Sequence, residues 1–262
     1  MGFSIGSAEI RLYGLLVGIG FVTAFLIGAH LYKKSGYKEM LPYLMLAVVA
    51  PAGIFGARLF FVIFADGHVP FFGFGDGGLV IYGGVIVALL AVIAVALVKR
   101  VGVFTLTDAI VVGLIIAQAI GRWGNFTNIL GGYYEGYGSE VGNHVPPFTN
   151  MVHGAPHLAF WLFESILNFI GFFLLWRIFK KQTKWGTTTA AYFIYYGIVR
   201  AILEPMRGDV LTLFGDSTFF MNRLSFVISI GMIILGGVIL YLNKLGKINQ
   251  ENTPLLEEKG GE

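Results

Sequence analysis

The 262-residue chain has no cysteine, which excludes disulfides, thiolate metal ligands and a cysteine nucleophile. Any thiol chemistry must arrive with a substrate. Charge is also scarce: Asp, Glu, Lys and Arg make up 13% of the residues, against about a quarter in soluble domains. A water-facing surface cannot be built from half the usual charge. With 56% hydrophobic residues and a mean hydropathy of +0.77, the chain reads as a polytopic membrane protein. A formal charge of +3 then marks loop sidedness, and no nucleic-acid partner is expected. The first ten residues lack a basic n-region and a cleavage site, so the first apolar run is expected to stay as a span. The histidines show no metal-ligand spacing, so no metal is expected.

Seven apolar runs are long enough to cross a hydrocarbon core of about 30 Å: residues 12–32, 40–64, 78–98, 108–125, 158–178, 187–206 and 221–242. Pro51 should kink the second, and the fourth is short. The fold class is therefore an all-α bundle of seven transmembrane helices. It forms one catalytic domain over 1–243 with a polar tail over 244–262. A Gly-, Tyr- and Asn-rich connection over 126–157 should form a small cap between the fourth and fifth helices.

All ten lysines fall in loops on one side, after the first, third, fifth and seventh helices, where Arg100 and Arg177 join them. The positive-inside rule makes those loops cytoplasmic, with the N-terminus outside and the C-terminus inside. The other six basic residues are all arginines: Arg11, Arg58, Arg122, Arg200, Arg207 and Arg223. On this topology Arg58 lies roughly 27 Å up the second helix and Arg200 roughly 20 Å up the sixth. Arg122 is near the outer end of the fourth, and Tyr13, Tyr82 and Glu164 start helices that enter from outside. Polar groups from six helices thus collect in the outer half of the bilayer.

An arginine at membrane depth faces a polar partner, a wet cavity or, at a helix end, the headgroups. Around Arg122, Gly121 and Gly124 leave room for close approach, and Asn125 and Asn128 supply amides, which suits a bound anionic headgroup. Arg200 and Glu204 are four residues apart on one helix face, with Arg207 a turn further. That spacing fits either an ion pair that locks packing or a guanidinium held by Glu204 and aimed at phosphate. Glu164 could pair with one of these arginines or serve packing alone.

These pieces in order resemble the prolipoprotein diacylglyceryl transferase family of the bacterial inner membrane. The similarity is densest at Gly121-Arg122-Trp123-Gly124-Asn125-Phe126-Thr127-Asn128 and its flank from Asp108 to Gln118. It extends to Arg11 through Gly14, Gly77 through Gly84, Glu164-Ser165, Tyr196 through Arg207, and Asn222 through Ser225. In the family the signature asparagine is soon followed by Glu-x-x-Gly. Here Glu135 through Gly138 supplies that pattern if about five residues are inserted around Ile129 to Tyr133. Tyr82 stands where many members carry histidine and others tyrosine, which leaves the base open.

The resemblance implies transfer of the diacylglyceryl group of phosphatidylglycerol to the lipobox cysteine of a preprolipoprotein signal peptide, releasing glycerol phosphate. It places the protein in the bacterial cytoplasmic membrane with no cofactor. The expected catalytic set is Arg122 and Arg200 on phosphate, with Tyr82 and Tyr13 near the thiol. Asn125, Asn128, Gly124, Glu204, Glu135, Gly138, Arg58 and Arg207 are the expected substrate-binding set. The alternatives are a secondary transporter of an anionic solute, a receptor or structural membrane protein, and an inactive paralogue. Transporter sites sit near the midplane with access from both faces, whereas these polar groups gather on one side.

Overall fold

The computed structural model describes residues 2–5, 8–34, 40–64, 70–72, 81–132, 137–208, 224–246 and 248. Its α-helices are α1 (Leu12–Lys34), α2 (Met40–Phe64), α3 (Ile81–Lys99), α4 (Val103–Leu130), α5 (Phe160–Lys181), α6 (Thr187–Leu203) and α7 (Leu224–Lys244). All except α6 are long and apolar enough to cross a membrane. This is a multi-pass membrane protein. α2 runs unbroken through Pro51.

Two small antiparallel hairpins break the all-helical expectation. One pairs β1 (Gly2–Ile5) with β2 (Ala8–Arg11), the other β3 (Thr149–Val152) with β4 (Ala155–Leu158). Four-residue strands leave no period in hydropathy strong enough to read.

The fourth helix corrects a second expectation. It is the longest, at 28 residues, and carries Arg122, Asn125 and Asn128 within its last three turns rather than beside a loop. Polarity at its end suggested a stop, but the structure pairs Arg122 with other helices, and Thr127 Oγ1 returns a hydrogen bond to Gly124 O at 2.8 Å. With its polar groups held, the helix continues to Leu130, and the connection to the cap starts there.

The chain forms two compact units. One comprises Met1–Ile27 with Asp108–Ile248, the other Gly28–Thr107 with Asn249–Glu262. In the second unit α2 and α3 pack through facing glycines. A Cβ on Gly83 would meet Gly56 O at 2.5 Å, and one on Gly84 would meet Gly53 O at 3.0 Å. These glycines are spent on helix contact.

In the first unit Gly197 and Gly236 do the same between α6 and α7, where added Cβ atoms would meet Ser229 O at 2.8 Å and Ala190 O at 2.7 Å. α5 ties to α6 through Tyr195, whose hydroxyl donates to Leu167 O at 2.6 Å. The α6 N-terminus is capped from another helix. Buried Asp108 of α4 accepts from Gly186 N and Thr189 N at 2.8 Å each, and from Thr189 Oγ1 at 2.5 Å. This carboxylate answers the free N–H groups and the positive end of the α6 dipole. Beside it, Gln182 Oε1 accepts from Thr188 N and Oγ1.

Candidate functional site

The polar centre of the first unit is a chain of four charges. Glu164, one turn into α5 and fully buried, accepts from Arg122 of α4 at 2.7 Å and from Arg200 of α6 at 3.3 Å. Arg200 in turn donates to Glu204 at 3.2 Å. One carboxylate therefore joins three helices. The two arginines and two glutamates cancel formally, which is how four ionisable groups tolerate burial.

Exposure separates the two cations. The Arg122 side chain is 25% exposed and that of Arg200 only 9%. A guanidinium has five N–H donors. Arg122 Nη2 donates to Glu164, and Tyr196 lies beside Arg122, Glu164 and Arg200. Arg122 is thus the cation a ligand can touch, with Arg200 behind it under the ring of Phe160 at 5.9 Å.

Tyr196 is held in turn. Its ring stacks on Tyr192 with centroids 5.6 Å apart and planes at 9°, and Tyr192 Oη accepts from Gln118 Nε2 at 2.9 Å. Gln118 lies one turn before Arg122 on α4, as Tyr192 and Tyr196 lie two turns and one before Arg200 on α6. Trp123 flanks the cluster. Its Nε1 donates to Ser165 Oγ at 3.1 Å, and Ser165 Oγ donates to Ala119 O at 2.9 Å.

Several residues expected from the sequence converge on this cluster. Arg122, Arg200 and Glu204 are in it, and Glu204 pairs with Arg200 on one helix face as its spacing implied. Asn125, buried, and Asn128, half-buried, follow Arg122 on α4. Tyr13, on the first turn of α1, lies against Gly124, where an added Cβ would come within 2.6 Å of the tyrosine ring. Gly124 therefore matters as the seat of Tyr13.

Others lie apart. Arg58 and Tyr82 belong to the second unit. Buried Arg58 donates from Nε to Phe71 O at 2.8 Å and from Nη2 to Pro70 O at 2.7 Å, so its guanidinium holds the chain that follows α2. Tyr82 opens α3 half-buried. Gly138 and Arg207 meet in a β-bridge where the cap crosses the chain leaving α6. There Gly138 N donates to Leu158 O at 3.0 Å and Ser139 N to Met206 O at 2.8 Å. A Cβ on Gly138 would meet Leu158 Cβ at 2.6 Å, so close backbone approach explains this glycine. Glu135 and the side chain of Arg11, with Asn222 and Arg223, lie outside the described residues.

Sequence reasoning left the hub unassigned. Glu164 had two equal readings, while Tyr192 and Gln118 carried no role. The available signal was polar residues recurring every four positions in otherwise apolar helices: 118 and 122, 192, 196, 200 and 204.

One partly exposed guanidinium with a second, buried one behind it, in a multi-pass membrane protein, is an arrangement chemically suited to an anion such as phosphate. The chain belongs to the prolipoprotein diacylglyceryl transferase family, whose profile matches residues 1–242. It is 33% identical over 257 residues to the phosphatidylglycerol–prolipoprotein diacylglyceryl transferase of Listeria monocytogenes serotype 4a (strain HCC23), covering 92% of this chain and 88% of that protein. The similarly named protein of Clostridioides difficile (strain 630) is 33% identical over 258 residues, covering 95% of this chain and 97% of the relative. That of Staphylococcus saprophyticus is 30% identical over 264 residues, covering 94% and 89%.

Proposed function

We propose that this chain transfers the diacylglyceryl group of phosphatidylglycerol to the lipobox cysteine of a preprolipoprotein, in the bacterial cytoplasmic membrane. The carrying observation is the Arg122–Glu164–Arg200–Glu204 chain, with one guanidinium open and one held behind it. In the reaction the cysteine sulfur forms a bond to the glyceryl carbon. The bond from that carbon to the phosphate oxygen breaks, and its electron pair leaves with glycerol phosphate. The departing oxygen gains negative charge, and a preorganised cation is worth most where that charge develops. Arg122 meets the phosphate, Arg200 and Glu204 hold the field behind it, and Asn125 and Asn128 bond glycerol or phosphate oxygens.

The thiol needs a proton acceptor or a positive field, since a free cysteine has a pKa of about 8.5. Tyr13, beside Gly124, and Tyr82 are the phenols assigned to that end of the reaction, and Arg207, Gly138 and Glu135 to the outer margin of the substrate site. The absence of cysteine suits a protein whose one reactive thiol comes with its substrate.

The topology follows the lysines: N-terminus outside, C-terminus cytoplasmic, and seven spans. α6 is the seventh. Its 17 residues and the following 3₁₀ turn Glu204–Met206 together extend about 31 Å, enough for a hydrocarbon core of about 30 Å. The function is tested by incubating purified protein with phosphatidylglycerol and a lipobox peptide and weighing the product. A thioether adduct of diacylglyceryl mass is expected, and its absence with folded protein overturns the assignment.

A further inference from the structure

The cap carries an apolar tip that the transfer chemistry does not use. Val145, Pro146, Pro147 and Phe148 are all exposed, Val145 and Phe148 by half or more, and no charge lies among them. Four consecutive exposed apolar positions on a loop are unusual for a surface that faces water.

The tip is closed at its backbone. Val145 N donates to Thr149 Oγ1 at 2.7 Å, and Phe148 N and Thr149 N donate to Val145 O at 3.0 and 3.2 Å. Pro146 and Pro147 have no N–H. Every backbone donor from 145 to 149 is therefore either bonded or missing. With no donor left unpaired, the cost of carrying this segment out of water is lowered.

The tip is also fixed in level. Ala159 N, just before α5, donates to Phe148 O at 2.8 Å, and the Phe148 ring stacks on Phe163 with centroids 6.2 Å apart and planes at 28°. Phe163 heads the stripe Phe163, Ile166, Ile170 and Phe173, at helical spacings of 3, 4 and 3. The last three of these are about half exposed on a membrane-spanning helix, so they face lipid. Phe148 continues that lipid-facing stripe beyond the end of the helix.

We propose that the 145–148 tip is a wedge buried at the headgroup–acyl boundary of the leaflet on the cap's side, anchoring the cap to lipid beside α5. This rests on the membrane assignment and not on the transfer reaction. A protein occupant, such as the substrate peptide, is the competing one.

The cysteine-free sequence permits a direct test. Single cysteines replace Pro147, Phe148 or, as a charged exposed position on the same cap, Glu140. Each variant carries an environment-sensitive fluorophore and is reconstituted in phosphatidylcholine–phosphatidylglycerol vesicles. Labels at 147 and 148 should emit blue-shifted, be quenched by spin labels high on the acyl chains, and resist aqueous iodide. The label at 140 should do the reverse. Pro147→Cys keeps the Phe148–Phe163 stack, so a folding defect in Phe148→Cys does not decide the matter. Iodide quenching with water-like emission at 147 overturns the proposal. So does a blue shift that appears only after lipobox peptide is added, which would make the tip a peptide-docking surface.

Discussion

Replacing Glu164 by glutamine tests whether one carboxylate organises the site. The wild-type cluster is formally neutral, with Glu164 oxygens 2.7 Å from Arg122 and 3.3 Å from Arg200. At an effective dielectric of about 20, each attraction is gross about 5 to 6 kcal/mol. Desolvation offsets part of this, and removing one partner of a buried pair typically costs about 3–5 kcal/mol. Glutamine keeps one acceptor oxygen but turns an amide N–H toward a guanidinium, leaving two arginines facing each other with one compensating charge. Glu164→Gln should therefore unfold at a clearly lower temperature in detergent. Because the fork proposed to bind phosphate loses its anchor, it should also lose about 10²-fold or more in kcat/KM for transfer to a lipobox peptide. A cycle with Arg122→Ala, Glu164→Ala and the double variant should show coupling in stability of about 1–3 kcal/mol. Turnover within about threefold of wild type, with additive stability effects in the cycle, would refute the idea of Glu164 as the hub.

Arg200→Ala should cost about 10²-fold or more in turnover, and Arg122→Lys should also be poor because lysine lacks the fork, both read as product formed by folded protein. Gly138→Ala meets backbone and side chain within 3.1 Å whereas Gly142→Ala meets nothing within 4 Å, so only the first should destabilise the cap, as read by limited proteolysis; equal resistance would contradict the crossing. If Glu135 fills the family's acidic position, Glu135→Gln should impair transfer more than Glu140→Gln, and equal mild effects would mean the register is different. If Tyr82 takes the thiol proton, Tyr82→Phe should abolish most activity and Tyr82→His restore part of it, with the pH profile moved toward about 6.5; an unchanged pH–rate curve in Tyr82→Phe at saturating lipid rules that role out.

The helices were legible because each must satisfy its own backbone in lipid, so an apolar run of sufficient length has one fate. What the sequence concealed was partnership. The polar end of α4 looked like a terminus since nothing local answers Arg122; the answer is Glu164, 42 residues away on another helix. Gly83 and Gly84 stood in a matched stretch with no contact assigned, and only the position of Gly56 and Gly53 shows that α2 packs against them. Asp108 read as part of a motif flank, and its use as a cap for α6 depends on a contact across 81 residues. Spacing along one helix, as for Arg200 and Glu204, survived intact because it needs no tertiary information.

Asp108 and Arg122 sit on one rigid helix and grip α6 near both of its ends, the first directly at Thr189 and the second through Glu164 to Arg200. A slide of α6 along its axis by a single residue, about 1.5 Å, would strain both grips at once. These contacts oppose a piston slide between the helices more than a hinge or sideways swing that keeps one of them as its pivot.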